Sequence, residues 1–311
     1  MRAAVVHEPG ATPVLEQFTD PQPGPGVSVG TLLAASLNPL DLVFVNGQFP
    51  VRPLHPPCVA GYEAVVRLAD GTHWYAASAP SPYGALAELI PVPDSDRVPV
   101  PAGLDPALAA AIGVAGMAGW LALDYRAHLK PGETVLVLGA GGAAGQLTMQ
   151  SARALGAGLV VGAARGKSLA RLTSLGADAV VDLADEGTIV AGLAGAAPGG
   201  YDVIVDFLWG PVVPHALNHA KTGARYVQVG SSAGPASTIT GAVLRNKLMT
   251  VIGHGLFATP VEVRRSAYVQ LAAHALEGRL TVDFERTRLE DISDTWERLK
   301  TGASGKLVVT P

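Results

Sequence analysis

The sequence predicts an α/β protein in which a doubly wound parallel sheet accompanies a β-rich domain. Three observations carry this reading. Short β-prone segments cut by Pro, Gly and Asp fill residues 27–100, apolar strand-length runs alternate with helical stretches after Leu104, and a glycine-rich turn joins the first of those runs to a helix. A chain of 311 residues has room for about two domains. Its 49% hydrophobic and 15% charged residues exclude a disordered polymer.

In the N-terminal part the clusters PQPGPG (21–26) and VPDSDRVPVPAG (92–103) punctuate the strands. The uncharged stretch from Pro106 to Leu123 is dominated by Ala and Gly rather than Leu, Ile and Val, so it reads as a buried or interface helix and not as a membrane span. Six strands are then expected: Thr134–Leu138, Leu159–Ala163, Ala179–Val181, Val203–Phe207, Arg225–Val229 and Met249–Gly253. Six strands with helical crossovers make a Rossmann sheet. Between them, LARLTSLG and HALNHAKTG read as helices closed by Gly176 and Gly223. Beyond residue 254 come a helix over Val261–Glu277, a strand over Leu280–Phe284, a helix through Ile292, Trp296 and Leu299, and a last strand over Leu307–Val309.

Lys and Arg number 22 against 26 Asp and Glu, a formal charge of −4 without long runs of either sign, which argues against nucleic acid and membrane surfaces as partners. A single cysteine, Cys58, rules out an internal disulfide and fits a reducing compartment. The N-terminus has too short an apolar run for a signal-peptide core, and the cytoplasm is the expected location.

The segment TVLVLGAGGAAGQLTMQSARALG fits the G-x-G-x-x-G dinucleotide fingerprint, with Ala140 in place of its first glycine. Such a turn must bend sharply, let a pyrophosphate approach without a Cβ in the way, and present helix N-terminal amides to the anion. Gly142, Ala143, Ala144 and Gly145 are the candidate residues. A site that prefers NAD places Asp or Glu about 20 residues further on. Here that count reaches Arg165, after Ala164 and before Lys167, and no acidic residue lies between Val160 and Ser168. Two cations and no carboxylate suit a 2′-phosphate, so the expected cofactor is NADPH.

Taken with SLNPLDL (36–42), PPCVAGYE (56–63), GALAELIPVP (84–93), AGMAGW (115–120), LGADAVVD (175–182), VLRNKLMTVIG (243–253) and SGKLVV (304–309), the chain resembles the zinc-independent quinone oxidoreductase branch of the medium-chain dehydrogenase/reductase superfamily. The resemblance implies a GroES-like catalytic domain from residues 1–104 and 255–311, a Rossmann domain from 105–254, an active cleft between them, and a homodimer. It further implies that Phe207, Val229, Gly230, Ser231 and Phe257 line the nicotinamide side. Zinc members hold their metal at positions matching Asn38, Tyr62 and about Val114, which cannot form a Cys/His/Cys-type set, so no catalytic metal is expected. Relatives often carry Thr at the position of Ala118, and the segment 67–83 is shorter than usual.

The expected reaction is hydride transfer to a quinone or related α,β-unsaturated carbonyl, with Tyr62 and Asn38 as candidate catalytic residues that orient the acceptor oxygen. Enoyl-thioester reductases of the superfamily supply a tyrosine in the segment resembling NGQFP, where this chain has Phe49. A hydrolase reading of VGSSAG, with Ser232 as nucleophile, lacks the helix that should follow. His215 and His219 share a helical spacing, but residue 216 is Ala where a zinc protease needs Glu. The rival of a different class is a protein that binds NADPH in a sensing or structural role without turnover.

Overall fold

The computed structural model describes residues 1–48, 53–77, 79–302 and 305–311. Phe49 lies outside them. The chain forms two compact units: Met1–Ala115 with Thr259–Gly278 and Val282–Pro311, and Gly116–Ala258 with Arg279–Thr281.

The first unit opens with β1 (Arg2–Val6), β2 (Val14–Gln17), β3 (Val27–Ser36), α1 (Pro39–Val45), β4 (Cys58–Val59), β5 (Glu63–Arg67), β6 (His73–Ala77), β7 (Leu89–Pro93), β8 (Arg97–Pro99) and α2 (Pro106–Ala111). β3 organises it. Its first half pairs antiparallel with β7 and its second with β5, across an irregularity between Leu32 and Ala34 that lets one strand serve two partners. The first junction falls beyond α2 because this helix packs against β3 and β5. Pro106 at its start and the Asp105 carboxylate, which accepts from the Ala107 N–H at 3.2 Å, set the N-terminus.

The second unit contains α3 (Val114–Leu121), which begins two residues before it, then β9 (Thr134–Leu138), α4 (Ala143–Ala154), β10 (Leu159–Ala164), α5 (Leu169–Leu172), β11 (Ala179–Asp182), α6 (Glu186–Ala196), β12 (Tyr201–Asp206), α7 (Val213–Asn218), β13 (Ala220–Gln228), α8 (Gly241–Lys247) and β14 (Thr250–Gly253). Its six strands are all parallel, in the order β11-β10-β9-β12-β13-β14. The order reverses direction between β9 and β12, the doubly wound arrangement expected. Along β9, Leu136 and Leu138 enter one apolar core and Val135 and Val137 the other, so the sheet is buried on both faces. The helix expected to reach Gly223 stops at Asn218, because β13 already starts at Ala220, opposite Tyr201.

The chain returns to the first unit through α9 (Val261–Leu276), β15 (Phe284–Arg288), α10 (Ile292–Lys300) and β16 (Lys306–Thr310). β16 pairs antiparallel with β3 and parallel with β15. The strand expected over Leu280–Phe284 begins only at Phe284, opposite Lys306. Residues 280–283 alternate buried and exposed as a strand would, but Thr281 exchanges its backbone bonds with the Gln150 side chain of α4 instead. The stretch Pro106–Leu123 forms α2 and α3, and among the described residues no helix is long and apolar enough to cross a membrane.

Candidate functional site

In the second unit the turn after β9 has the form that the glycine spacing predicts. Gly139 takes φ 87°, open to glycine at little steric cost. A Cβ on Gly145 would lie 2.3 Å from the Gly139 carbonyl oxygen and 2.6 Å from the Ala140 Cα, so helix and strand meet here only through a bare backbone. Gly142 differs: a Cβ there would have only the Gly139 oxygen, at 3.8 Å, as neighbour. Gly142 is also the exposed N-cap of α4 and supplies no side-chain cap. With Ala143 and Ala144 in the first turn, the helix presents amides that have no intrahelical partner to whatever lies over Gly142.

At the end of β10, Ala164 is buried while Arg165 and Lys167 are exposed. Arg165 Nε donates to the Leu183 carbonyl at 2.6 Å, which fixes the base of the guanidinium. Ser168, not singled out by the sequence, closes the gap. Its Oγ donates to the Arg165 carbonyl at 2.8 Å, and it packs so tightly on Gly141 that a Cβ there would come within 2.5 Å of Oγ. The glycine turn and the cationic segment are thus one packed structure. The fit to a dinucleotide is good: a helix N-terminus bare of side chains, with two cations and no acidic residue between residues 160 and 168 beside it.

On the other side of β9, Phe207 follows β12, and Val229, Gly230 and Ser231 follow β13. The amides of Val229 and Gly230 donate to the Asp206 carbonyl at 2.8 and 3.1 Å. Phe257 lies in a short turn after β14. Ser232 Oγ donates to the Phe207 carbonyl at 3.0 Å, and no helix follows until Gly241, so VGSSAG is a clasp between two sheet-end turns rather than a nucleophile elbow. His219 Nδ1 bonds the His215 carbonyl at 2.9 Å, and His215 lies 3.6 Å from Glu186. Both histidines serve helix packing. His254, after β14, is buried with neither ring nitrogen bonded among the described residues. Burial and the nearby Arg126 charge lower its pKa to about 4.

The first unit gathers a buried polar cluster around a residue the sequence did not single out, Glu63. Its Oε1 accepts from Asn38 Nδ2 at 2.7 Å, and its Oε2 accepts from Tyr75 OH at 2.7 Å and from the Val114 amide at 2.6 Å. Lys306 Nζ lies 3.8 Å from Oε1 and donates to Asn38 Oδ1. The second Nδ2 donor of Asn38 goes to the Ser36 carbonyl at 3.3 Å. The amide of Asn38 is therefore fully engaged within the protein and has no donor left for an acceptor oxygen. Tyr62 is buried beside Glu63.

Asp41, at the start of α1, accepts from the Asn38 backbone at 2.7 Å. Its burial, with Glu63 nearby, raises its pKa to about 7. Burial holds the Lys306 ammonium below its ordinary value, and burial next to Glu63 raises Tyr75. Gly113 makes the cluster possible, since a Cβ there would sit 2.0 Å from Glu63 Oε2.

Comparison with known proteins places the chain among dehydrogenases and quinone oxidoreductases of the same fold. A family profile described as zinc-binding dehydrogenase matches residues 143–273. A probable quinone oxidoreductase of Leishmania amazonensis is 28% identical over 232 residues, 71% of this chain and 66% of the relative. The quinone oxidoreductase of Thermus thermophilus, whose structure is also known in complex with NADPH, is 30% identical over 100% of both chains with a TM-score of 0.83. An alcohol dehydrogenase superfamily protein of Novosphingobium aromaticivorans is 25% identical, covers 100% of this chain and 99% of its own, and has a TM-score of 0.88.

The metal in the profile's description finds no suitable donors at the expected positions. Asn38 is an amide already committed, Tyr62 a phenol, and residue 114 a valine. Among the described residues no group of three or more His, Cys, Asp or Glu side chains is placed to hold a metal ion.

Proposed function

The chain belongs to the quinone oxidoreductase branch of the medium-chain dehydrogenase/reductase superfamily, and on that premise we propose that it is an NADPH-dependent oxidoreductase that reduces a quinone or a related α,β-unsaturated carbonyl without zinc. The observation that carries this is the packed unit of glycine turn, Ser168, Arg165 and Lys167, cationic where an NAD site needs a carboxylate. Bound NADPH supplies a hydride. Gly142, Ala143 and Ala144 receive the pyrophosphate on a helix start that Gly145 seats against the strand, Arg165 and Lys167 the 2′-phosphate, Ala164 floors that pocket, and Phe207, Val229, Gly230, Ser231 and Phe257 form the nicotinamide side. A quinone accepts electrons without strong acid catalysis, so the chain needs only to orient the acceptor oxygen, a role given to Tyr62. Asn38 acts through Glu63, consistent with its saturated amide.

The test is calorimetry with NADPH and NADH, followed by NADPH oxidation with 9,10-phenanthrenequinone. NADPH should bind more tightly and be consumed. Arg165→Ala should reduce the preference for NADPH about tenfold, equivalent to ~1.4 kcal/mol, and leave NADH affinity unchanged. Equal affinity for the two coenzymes in the unaltered protein overturns the cofactor assignment. Binding without turnover on any quinone or enone favours the sensing role.

The same reading makes the protein a cytoplasmic homodimer, in keeping with a single buried cysteine. The second copy pairs on β14, a sheet edge with one neighbour whose surroundings expose Leu248 (72%) and Val251 (39%).

A further inference from the structure

The turn after β12 is held in a conformation that its own sequence disfavours. Trp209 takes φ 57° and ψ −160°, a region open essentially to glycine. Such a backbone persists only where its surroundings over-determine it, and here they do. Asp206, fully buried, accepts through Oδ1 from the amides of Leu208 at 2.8 Å and Trp209 at 3.1 Å. Oδ2 lies 3.0 Å from the same Trp209 amide and accepts from Tyr226 OH at 2.5 Å. Tyr226 rises from β13 and meets the Trp209 ring edge-on at 6.2 Å.

The turn so fixed leans on the glycine turn of β9. A Cβ on Gly139 would press on Leu208 at 3.1 Å and on Phe207 at 3.3 Å, and the Phe207 amide donates to the Leu138 carbonyl at 3.1 Å. In a doubly wound sheet a dinucleotide lies across the point where strand order reverses, here between β9 and β12. With the cations on the β10 side, the β12 side is left for the other half of the molecule.

We infer that Asp206 and Tyr226 are positioning residues, which lock the Phe207–Trp209 turn against the glycine turn and thereby set where the nicotinamide half, and not the adenosine half, of the dinucleotide is received. This rests on the reading of the site as an NADPH site. Neither residue touches the cofactor in this assignment. Each acts through the backbone that carries Phe207.

The test uses the full chain and Tyr226→Phe. Binding of 2′-phospho-AMP, which has only the adenosine half, is compared with the emission of bound NADPH, which reports the surroundings of the dihydronicotinamide ring, and with kcat on 9,10-phenanthrenequinone. The variant should keep its 2′-phospho-AMP affinity within about twofold while the emission of bound NADPH shifts toward that of the free coenzyme and kcat falls about tenfold. Asp206→Asn, which keeps one acceptor oxygen for the turn, should repeat the pattern and serves as the readout if Tyr226→Phe does not fold. Unaltered emission and kcat, or equal losses for 2′-phospho-AMP and NADPH, overturn the inference alone. Failure of the unaltered protein to bind either ligand overturns the NADPH reading as well.

Discussion

Two glycines three residues apart separate fold from ligand. Gly145→Ala places a methyl group 2.3 Å from a backbone oxygen that cannot step aside, and should cost roughly 1–3 kcal/mol in denaturant unfolding of the second unit. Gly142→Ala meets nothing closer than 3.8 Å and should leave stability within about 0.5 kcal/mol, yet weaken NADPH binding about tenfold in calorimetry, because the space it fills is the one proposed for the pyrophosphate. Equal effects of the two would mean that the turn serves packing alone. The fingerprint was legible because its demands are local: a strand, a turn and a helix within a few residues. Glu63 was not. Of its partners, Tyr75 lies 12 residues on in the paired strand, but Asn38, Val114 and Lys306 come from separate parts of the chain, and no spacing along the sequence brings the four together. Asn38 looked free to meet substrate only because Lys306 and Glu63 could not be seen beside it.

At the scale of elements, the strands of the parallel sheet were readable as continuous apolar runs because both faces of that sheet are buried. Segment 280–283 misled because alternation records which side chains are buried and not whether a neighbouring strand is present. The edge strand β14 shows the reverse. Its residues read as a strand, but nothing in them says that its outer side is open. From Val229 to Gly253 no residue is fully buried, although the segment holds Ile239, Val243, Leu244, Leu248, Val251 and Ile252. Val251→Lys puts a charge on that edge, and in light scattering it should convert a dimer to a monomer while the far-ultraviolet circular dichroism stays that of the folded chain. A monomeric unaltered protein would remove β14 as an interface.

At the scale of the whole molecule, the two units carry buried titratable groups of opposite sense. His254 in the second unit has its pKa lowered to about 4 against an ordinary 6.5. Between those values the unfolded chain binds a proton that the native unit refuses, so stability falls on acidification by about 1.4 kcal/mol per pH unit. Asp41 in the first unit is raised from 3.8 to about 7. Across that window the native unit keeps a proton that the unfolded chain releases, and stability falls as pH rises. Hydrogen exchange at pH 4.5 and 6.5 should therefore show residues 39–45 better protected at the lower pH and residues 250–253 at the higher, after correction for intrinsic exchange. His254→Leu should abolish only the second trend, and Asp41→Asn only the first.

The path of the chain also orders its birth. Lys306 and the strand that bears it leave the ribosome after every residue of the parallel sheet has been made, yet β16 is an interior strand of the other sheet and completes the pairing of β3. Domains generally mature as units during translation. The nucleotide-binding half has all its strands in hand while the segments made before it still wait for β16 before Asn38 and Glu63 find their ammonium.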